Sequence, residues 1–178
     1  TLSINYPFGS GFLSRGTGVL LNDEMDDFSA RPGTPNAYGL VGAEANAIAP
    51  GKRMLSSMTP TFVASDERVA VLGTPGGSRI ISMVLLGVLD VVADNGPESW
   101  VAQPRLHHQY LPDTVFFEPG ALTVQEQKAL AAKGHRLEEA TRPWGNMQAL
   151  EWNRAEGKVR AASDPRGEGR ARVDVVRH

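Results

Sequence analysis

The chain has 178 residues, of which 41% are hydrophobic and 21% are charged, and these fractions indicate a globular protein rather than a disordered one. Its formal net charge of −2 argues against nucleic acid as a partner, because non-specific binding to phosphate needs a surplus of lysine and arginine. The absence of cysteine excludes disulfide frameworks, iron–sulfur clusters and thiol nucleophiles.

The first third of the chain is predicted to contain a short strand, an acidic segment and a long loop. Val19–Leu21 has the length and composition of a short buried strand. Four carboxylates follow within five residues, so mutual repulsion predicts that they are exposed or paired with cations. Residues 29–53 hold seven proline or glycine residues, which predicts a loop. Apolar residues inside it, including Tyr38, favour a lid over a linker.

The middle of the chain is predicted to form a β-hairpin followed by a helix. Thr61–Ala64 and Val69–Leu72 flank a polar turn, as the two strands of a hairpin do. The glycine-rich segment Gly73–Ser78 comes next, and apolar residues then recur at helical spacing from Ile81 to Val92. Because this helix is apolar on most of its surface, we expect it to be buried between layers.

The remainder is predicted to alternate helices and strands, which gives an α+β layered domain over 1–178. Thr123 and Glu126 form a capping box that opens a helix, and Gly134 is suited to end it. The other expected elements are a short helix, two strands and two later strands: 98–103, 105–109, 114–118, 147–152 and 158–162.

Gly76 and Gly77 lie at the predicted strand-to-helix junction. The N–H groups at a helix start lack intrahelical partners and carry partial positive charge, so this turn could bind an anion or stabilise an oxyanion. A tight turn that merely needs glycine is the alternative. A P-loop is excluded because no Gly-Lys-Ser/Thr follows.

Other polar side chains have two interpretations each. Ser56 and Ser57 could bind a carboxylate or simply form a turn, and Glu24 and Asp27 could bind an ammonium group or form a solvated acidic face. The adjacent residues His107–His108 would point to opposite faces of a strand and could not readily share a metal. We therefore predict neither a metal nor a cofactor.

Four segments resemble the signature blocks of the γ-glutamyltranspeptidase family. They are Leu20–Ser29, Pro50–Pro60, Gly73–Ile80 and Ala162–Arg166, and they occur in the family's order. The similarity extends from Asn5 to Arg166. Several long motifs in one order are far more specific than any single motif.

The resemblance implies an N-terminal-nucleophile hydrolase with a four-layer αββα sandwich, built by a large and a small subunit cut from one precursor. In such enzymes the small subunit begins with a threonine freed by autocleavage. Its hydroxyl attacks the γ-glutamyl carbonyl of glutathione and related compounds, with its own amine as base. The acyl group then passes to water or an amino-acid acceptor. The resemblance also implies a periplasmic or extracellular location.

Thr1 is not predicted to be that nucleophile. In the family, a hairpin separates the nucleophile from a strand that contains an asparagine and from the Phe-Gly turn after it. In this chain the matching residues, Asn5 and Phe8–Gly11, follow the first residue almost directly. We therefore expect the nucleophile upstream, in a precursor from which this chain is most of the small subunit. Alone, the chain is expected to be inactive and to associate, with its large subunit or with itself, because it would expose core strands.

The matching positions imply roles for nine residues. Gly76 and Gly77 are implied to form the oxyanion hole. Ser3 is implied to lie near the nucleophile. The ligands of the substrate's α-amino group are implied to be Asn5, Glu24 and Asp27. Ser56 and Ser57 are implied to bind the substrate's α-carboxylate together with an arginine of the large subunit. Tyr38 is implied to belong to a lid over the bound substrate.

Two alternatives remain open from the sequence. One is a relative that acts as a cephalosporin acylase or processes poly-γ-glutamate, although Glu24, Asp27 and Tyr38 favour free γ-glutamyl compounds. The other is an inactive fragment that lacks the nucleophile.

Overall fold

A computed structural model describes residues 4–174 and divides the chain into two units, Thr1–Ser56 and Ser57–His178. The expectation of one domain over 1–178 stays a prediction. Among the residues that the structure describes, no helix is long and apolar enough to cross a membrane.

The first unit is built from turns and loops. Among its described residues, the helical segments are two 3₁₀ turns, Glu24–Asp27 and Glu44–Asn46. Residues 29–53 contain the second of these turns and isolated bridges, Ser29 with Ala47 and Pro35 with Val41. The segment is therefore a loop, and its function as a lid stays a prediction.

The prediction of a buried strand at Val19–Leu21 is wrong. Leu20 forms only an isolated bridge with Leu13, and the side chains of Val19 and Leu21 are exposed. The cause is a tight turn over 14–18, in which the Ser14 N–H donates to the Val19 carbonyl at 2.9 Å. The two arms share too short a ladder to form a strand.

The second unit contains three helices and seven strands among its described residues. In chain order they are β1 (Thr61–Ala64), β2 (Arg68–Gly73), α1 (Arg79–Val92), α2 (Pro97–Ala102), β3 (Leu106–His107), β4 (Val115–Phe117), α3 (Val124–Ala132), β5 (Leu137–Glu139), β6 (Gln148–Asn153) and β7 (Lys158–Ser163). This mixture of helix and strand confirms the α+β class. The predicted hairpin is also confirmed, since β1 pairs antiparallel with β2.

The main sheet has the strand order β1-β2-β6-β7, and all its neighbours are antiparallel. Its inward face packs with α1 and α2 in one core. The members of that core include Ala70, Leu72, Ala149 and Ala162 from the sheet and Ile80, Met83, Val84, Val91 and Trp100 from the helices. Successive side chains of a strand point to opposite faces of the sheet, so the residues between these core positions lie on the face that points away from α1 and α2.

The expectation that α1 is buried on most of its surface is wrong for this chain. One face packs in the core, but the apolar residues of the other face are 56–73% exposed: Ile81, Leu85, Leu89 and Val92. The helix packs against the main sheet, α2 and β3, and it buries only the stripe that faces these elements. The apolar composition of α1 therefore exceeds what its own chain covers.

The second sheet has the order β3-β4-β5, in which β4 and β5 are parallel. The sequence analysis missed β5, because Leu137–Glu139 carries two charges and no alternation of apolar residues. The helix before it, α3, is confirmed, and its capping box is formed as predicted. Gly134, with φ +93°, follows its C-cap.

A buried ionic cluster joins the C-terminal block to the start of β3. Asp164 accepts hydrogen bonds from the Arg105 guanidinium and from the Met147 N–H, the latter at 2.8 Å. Arg166 contacts Asp164 at 3.1 Å and Glu118 at 2.6 Å. Burial alone would raise the pKa of Asp164, but these donors outweigh burial and lower it.

Candidate active site

The carboxylates of the acidic 3₁₀ turn Glu24–Asp27 have different partners. The Tyr6 hydroxyl donates to the Asp26 carboxylate at 3.0 Å, so Asp26 is engaged on an exposed side of the turn. Asn5 Nδ2 donates to Asp27 Oδ1 at 3.3 Å, and Glu24 is close enough to the same carboxyl to raise its pKa. The structure thus brings Asn5, Glu24 and Asp27 together, three residues that the sequence analysis grouped.

Asp27 is unusually basic for an aspartate. Burial raises its pKa to about 6, helped by the hydrogen bond to Glu24 and by the negative charge of Glu24, while the Asn5 amide opposes the shift. The negative charge of Glu24 makes ionisation of the neighbouring Asp27 carboxyl costly. A cation placed beside the pair would remove that cost.

Acceptor atoms remain available at this turn. Glu24 Oε1 and Asp23 Oδ1 are buried oxygens that accept no hydrogen bond from the residues that the structure describes. Buried acceptors are normally paired, because an unmade hydrogen bond is costly. A primary ammonium group has three donors and suits such a set of oxygens.

Asn46 is a site residue that the sequence analysis missed. Its Nδ2 donates to the Asp27 carbonyl at 2.8 Å, and its Oδ1 accepts from the Leu55 N–H at 3.0 Å. One amide therefore ties the acidic turn to the segment that leads into Ser56. An asparagine in a glycine-rich loop carries no pattern that marks this role.

The predicted serine pair lies where the two units meet in sequence. Ser56 is exposed and ends the first unit, and Ser57 is half-buried and begins the second. The Ser57 carbonyl accepts from Thr59 Oγ1 at 2.9 Å within a segment without helix or strand. Binding of a carboxylate by these hydroxyls stays a prediction.

The two glycines before α1 adopt conformations that other residues avoid. Gly76 has φ +147° and Gly77 has φ +57°. A Cβ on Gly76 would also lie 2.6 Å from Met83 Cε in the core. Among the described residues, neither glycine's N–H donates a hydrogen bond, so both are available to an anionic oxygen near the helix start.

The flanks of this turn are anchored. Thr74 is buried, and its Oγ1 accepts from the Asn146 N–H at 3.1 Å. Ser78 Oγ donates to Gln109 Oε1 at 2.7 Å. The Arg79 guanidinium lies 4.8 Å from the centre of the Trp144 ring, a cation–π contact. These contacts hold the polypeptide on both sides of the glycines.

The remaining predicted residues are less informative. Tyr38 lies half exposed in a tight turn, where its N–H and the Leu40 N–H both donate to Asn36 Oδ1, at 2.9 and 3.0 Å. Ser3 and Thr1 lie outside the described residues. The acidic turn belongs to the first unit and the glycine turn to the second.

Known proteins similar to this chain agree on one family. The family model described as "Gamma-glutamyltranspeptidase" matches residues 1–173. A relative from Pseudomonas aeruginosa, named glutathione hydrolase proenzyme, is 48% identical over 174 residues, which cover 95% of this chain and 31% of the relative. The chain therefore spans about a third of the length of the first curated relatives that it matches.

Solved structures agree in fold as well as in sequence. The γ-glutamyltranspeptidase from Pseudomonas nitroreducens complexed with L-DON superposes with a TM-score of 0.85 at 47% identity, covering 98% of this chain and 92% of that chain. A cephalosporin acylase from Bacillus halodurans has a TM-score of 0.72 at 20% identity, covering 94% of this chain and 30% of that chain, which shows the fold alone. The chain belongs to the γ-glutamyltranspeptidase family.

Proposed function

We propose that the protein containing this chain cleaves γ-glutamyl amides such as glutathione and transfers the γ-glutamyl group to water or to an amino acid. The observation that carries this proposal is the Glu24–Asp27 pair, with Asn5 beside it and a buried oxygen of Glu24 left without a donor. A γ-glutamyl group ends in an α-ammonium, which complements that set of acceptors. Membership of the family supports the same activity.

The proposed reaction uses a threonine upstream of Thr1 as nucleophile. Its hydroxyl oxygen bonds to the γ-carbonyl carbon while its proton passes to the threonine's own amine. The carbonyl oxygen becomes an oxyanion, which the Gly76 and Gly77 N–H groups would stabilise from the helix start. The amine then protonates the leaving nitrogen, and water or an amino acid attacks the resulting ester. Ser3 would lie near the nucleophile.

Recognition of the donor would depend on opposite charges at its two ends. Asn5, Glu24 and Asp27 would bind the α-ammonium, and the Ser56 and Ser57 hydroxyls would bind the α-carboxylate with an arginine from the large subunit. Tyr38 would close over the bound glutamyl group as part of the loop 29–53. No metal or cofactor takes part in this scheme.

The proposed partner is a large subunit from the same precursor. The open face of the main sheet carries exposed apolar side chains that a second sheet would cover: Phe62, Leu150, Trp152 and Val159. Exposed apolar surface of this kind marks an interface. A sheet on that face, with helices outside both sheets, would complete the four-layer αββα sandwich. We also propose a periplasmic or extracellular location, on the family resemblance.

Substitution of Asp27 tests the proposed substrate site in the full-length, processed protein. In Asp27→Asn the carboxylate can no longer neutralise the ammonium, so we expect a loss on the order of 2–4 kcal/mol, about 30- to 1,000-fold in kcat/KM for γ-glutamyl-p-nitroanilide.

Asp26→Asn is the matched control, because Asp26 belongs to the same turn but contacts Tyr6. Its kcat/KM should match that of the wild type. Unchanged kcat/KM in Asp27→Asn would contradict the assignment. Preference for an acyl group without an α-ammonium would favour the acylase alternative.

A further inference from the structure

A buried histidine lies beneath the N-terminal half of α1 and has no role in the reaction described above. His107, on β3, is 3% exposed. Its Nδ1 is 2.8 Å from Ser82 Oγ on α1, and its Nε2 is 2.8 Å from Gln109 Oε1. Both ring nitrogens are therefore engaged, by partners from two different elements of the second unit.

The hydrogen-bond partners determine the tautomer of His107. Gln109 Nε2 donates to the Leu111 carbonyl at 2.9 Å, which orients the amide so that its oxygen faces the histidine. Because an amide oxygen only accepts, the proton must lie on Nε2 of His107, and Nδ1 accepts from Ser82. Burial lowers the pKa of His107, and the charge of Arg79 lowers it further, against the opposing effect of Gln109.

The same amide oxygen accepts a second hydrogen bond. Ser78 Oγ donates to Gln109 Oε1 at 2.7 Å, and Ser78 directly follows Gly77 in the chain. A carbonyl oxygen has two lone pairs, and here one accepts from the histidine and the other from the serine. The chain His107–Gln109–Ser78 thus links the second sheet to the glycine turn.

We propose that His107 and Gln109 are positioning residues that hold the Gly76–Gly77 turn in its reactive geometry through Ser78. The proposal rests on the proposed function, in which those glycines stabilise the oxyanion. Glycine itself restrains the backbone little, so the directions of the two N–H groups depend on the anchors on either side. Donors stabilise a transition state well only when they are held in place before the reaction.

The anchors on the two sides have different origins. Before the glycines, the Thr74 hydroxyl accepts from the Asn146 backbone N–H, so a side chain supplies only one end of this anchor. After them, Ser78 is held by Gln109, whose oxygen is shared with His107. The second anchor therefore has a side chain at each end, and it can be tested by substitution from either end.

The test compares Ser78→Ala, Gln109→Met and the double variant in the full-length, processed protein. Each substitution removes the same link, so we expect kcat for γ-glutamyl-p-nitroanilide to fall about tenfold in each single variant, less than the loss of a whole oxyanion donor. The double variant should fall no further, because both changes act on one hydrogen bond. The inhibition constant of free glutamate should stay within about twofold.

Two further variants complete the design. Ser78→Thr keeps a hydroxyl and should recover most of the lost kcat. His108→Gln is the matched control, because His108 is the exposed neighbour of His107 and contacts Asp113 at 3.0 Å instead. Its kcat should equal that of the wild type.

Several results would overturn the proposal. They are an unchanged kcat in Ser78→Ala, additive losses in the double variant, or a glutamate inhibition constant that rises in parallel with the loss of kcat. If Gln109→Met lowers the melting temperature, Ser78→Ala and Ser78→Thr decide, since they alter only a half-buried hydroxyl. A wild type without γ-glutamyl activity would instead overturn the proposed function.

Discussion

The carboxyl of Asp27 has a proton affinity set by its neighbours in space. Glu24 is three residues away in sequence, whereas Asn5 approaches the carboxyl from the start of the chain. Asn46 holds the backbone carbonyl of the same residue. Burial and the Glu24 contact raise the pKa of Asp27 to about 6 from an ordinary value of 3.8. Because the folded state binds this proton more tightly, the site costs stability increasingly as pH rises from about 4 to about 6.

This shift predicts a pH dependence of donor binding. An ammonium group binds the ionised carboxyl, so kcat/KM for the donor should rise with pH through about 6 in the wild type. In Glu24→Gln the negative charge that helps to raise the pKa of Asp27 is gone, so the rising limb of the kcat/KM profile should move to lower pH. The measurement is the pH profile of kcat/KM in both proteins. A limb at the same pH in both would contradict the assignment to Asp27.

The helices and strands follow local pattern wherever a pattern exists. Two short segments on either side of a polar turn predicted β1 and β2, and the capping box at Thr123 predicted α3. The edge strand β5 was missed, because its position depends on parallel pairing with β4 and not on apolar side chains of its own. The strand expected at Val19–Leu21 failed for the opposite reason, since three apolar residues lacked a paired partner strand.

Elements are also joined by charges that no local pattern reveals. Arg105 before β3, Asp164 after β7 and Arg166 beyond it meet in the buried cluster. Removing one partner from a buried ion pair leaves an uncompensated charge. The cluster therefore predicts a large effect on stability from a conservative substitution.

We expect Asp164→Asn to lower the free energy of unfolding of the complete two-subunit protein by about 3–5 kcal/mol. Urea denaturation of the wild type and the variant measures the difference. Asp174→Asn is the matched control, because the Arg172–Asp174 pair at 2.7 Å is exposed and should contribute less than about 1 kcal/mol. Similar midpoints for Asp164→Asn and the wild type would contradict the interpretation of the cluster.

At the scale of the whole molecule, large apolar side chains are exposed on two faces of the second unit. The outer face of α1 and the open face of the main sheet both carry large apolar side chains, including Leu85, Val92, Phe62 and Trp152. The first curated relatives are about three times longer than the segment that this chain matches. In the proposed two-subunit enzyme, the large subunit would cover these faces. The excess apolar surface is consistent with that arrangement.

The isolated chain should therefore self-associate. We expect size-exclusion chromatography with light scattering to give a mass above 19.1 kDa for the chain alone. Adding the large subunit should replace this species by a heterodimer, because the same faces would be covered by their proposed partner. A well-folded monomer at high concentration would contradict the interpretation of both faces.

The sequence by itself determined the family, the hairpin, the capped helix and the residues worth testing, because these depend on motifs and periodicities within short segments. It did not determine how those residues interact. Four contacts join residues that are distant in sequence or lie in loops: Asn5 with Asp27, the Asn46 link, the buried cluster around Asp164 and the chain from His107 to Ser78. Only the tertiary structure decided them, because hydrogen bonds and charges act over a few ångströms of space, regardless of separation along the chain.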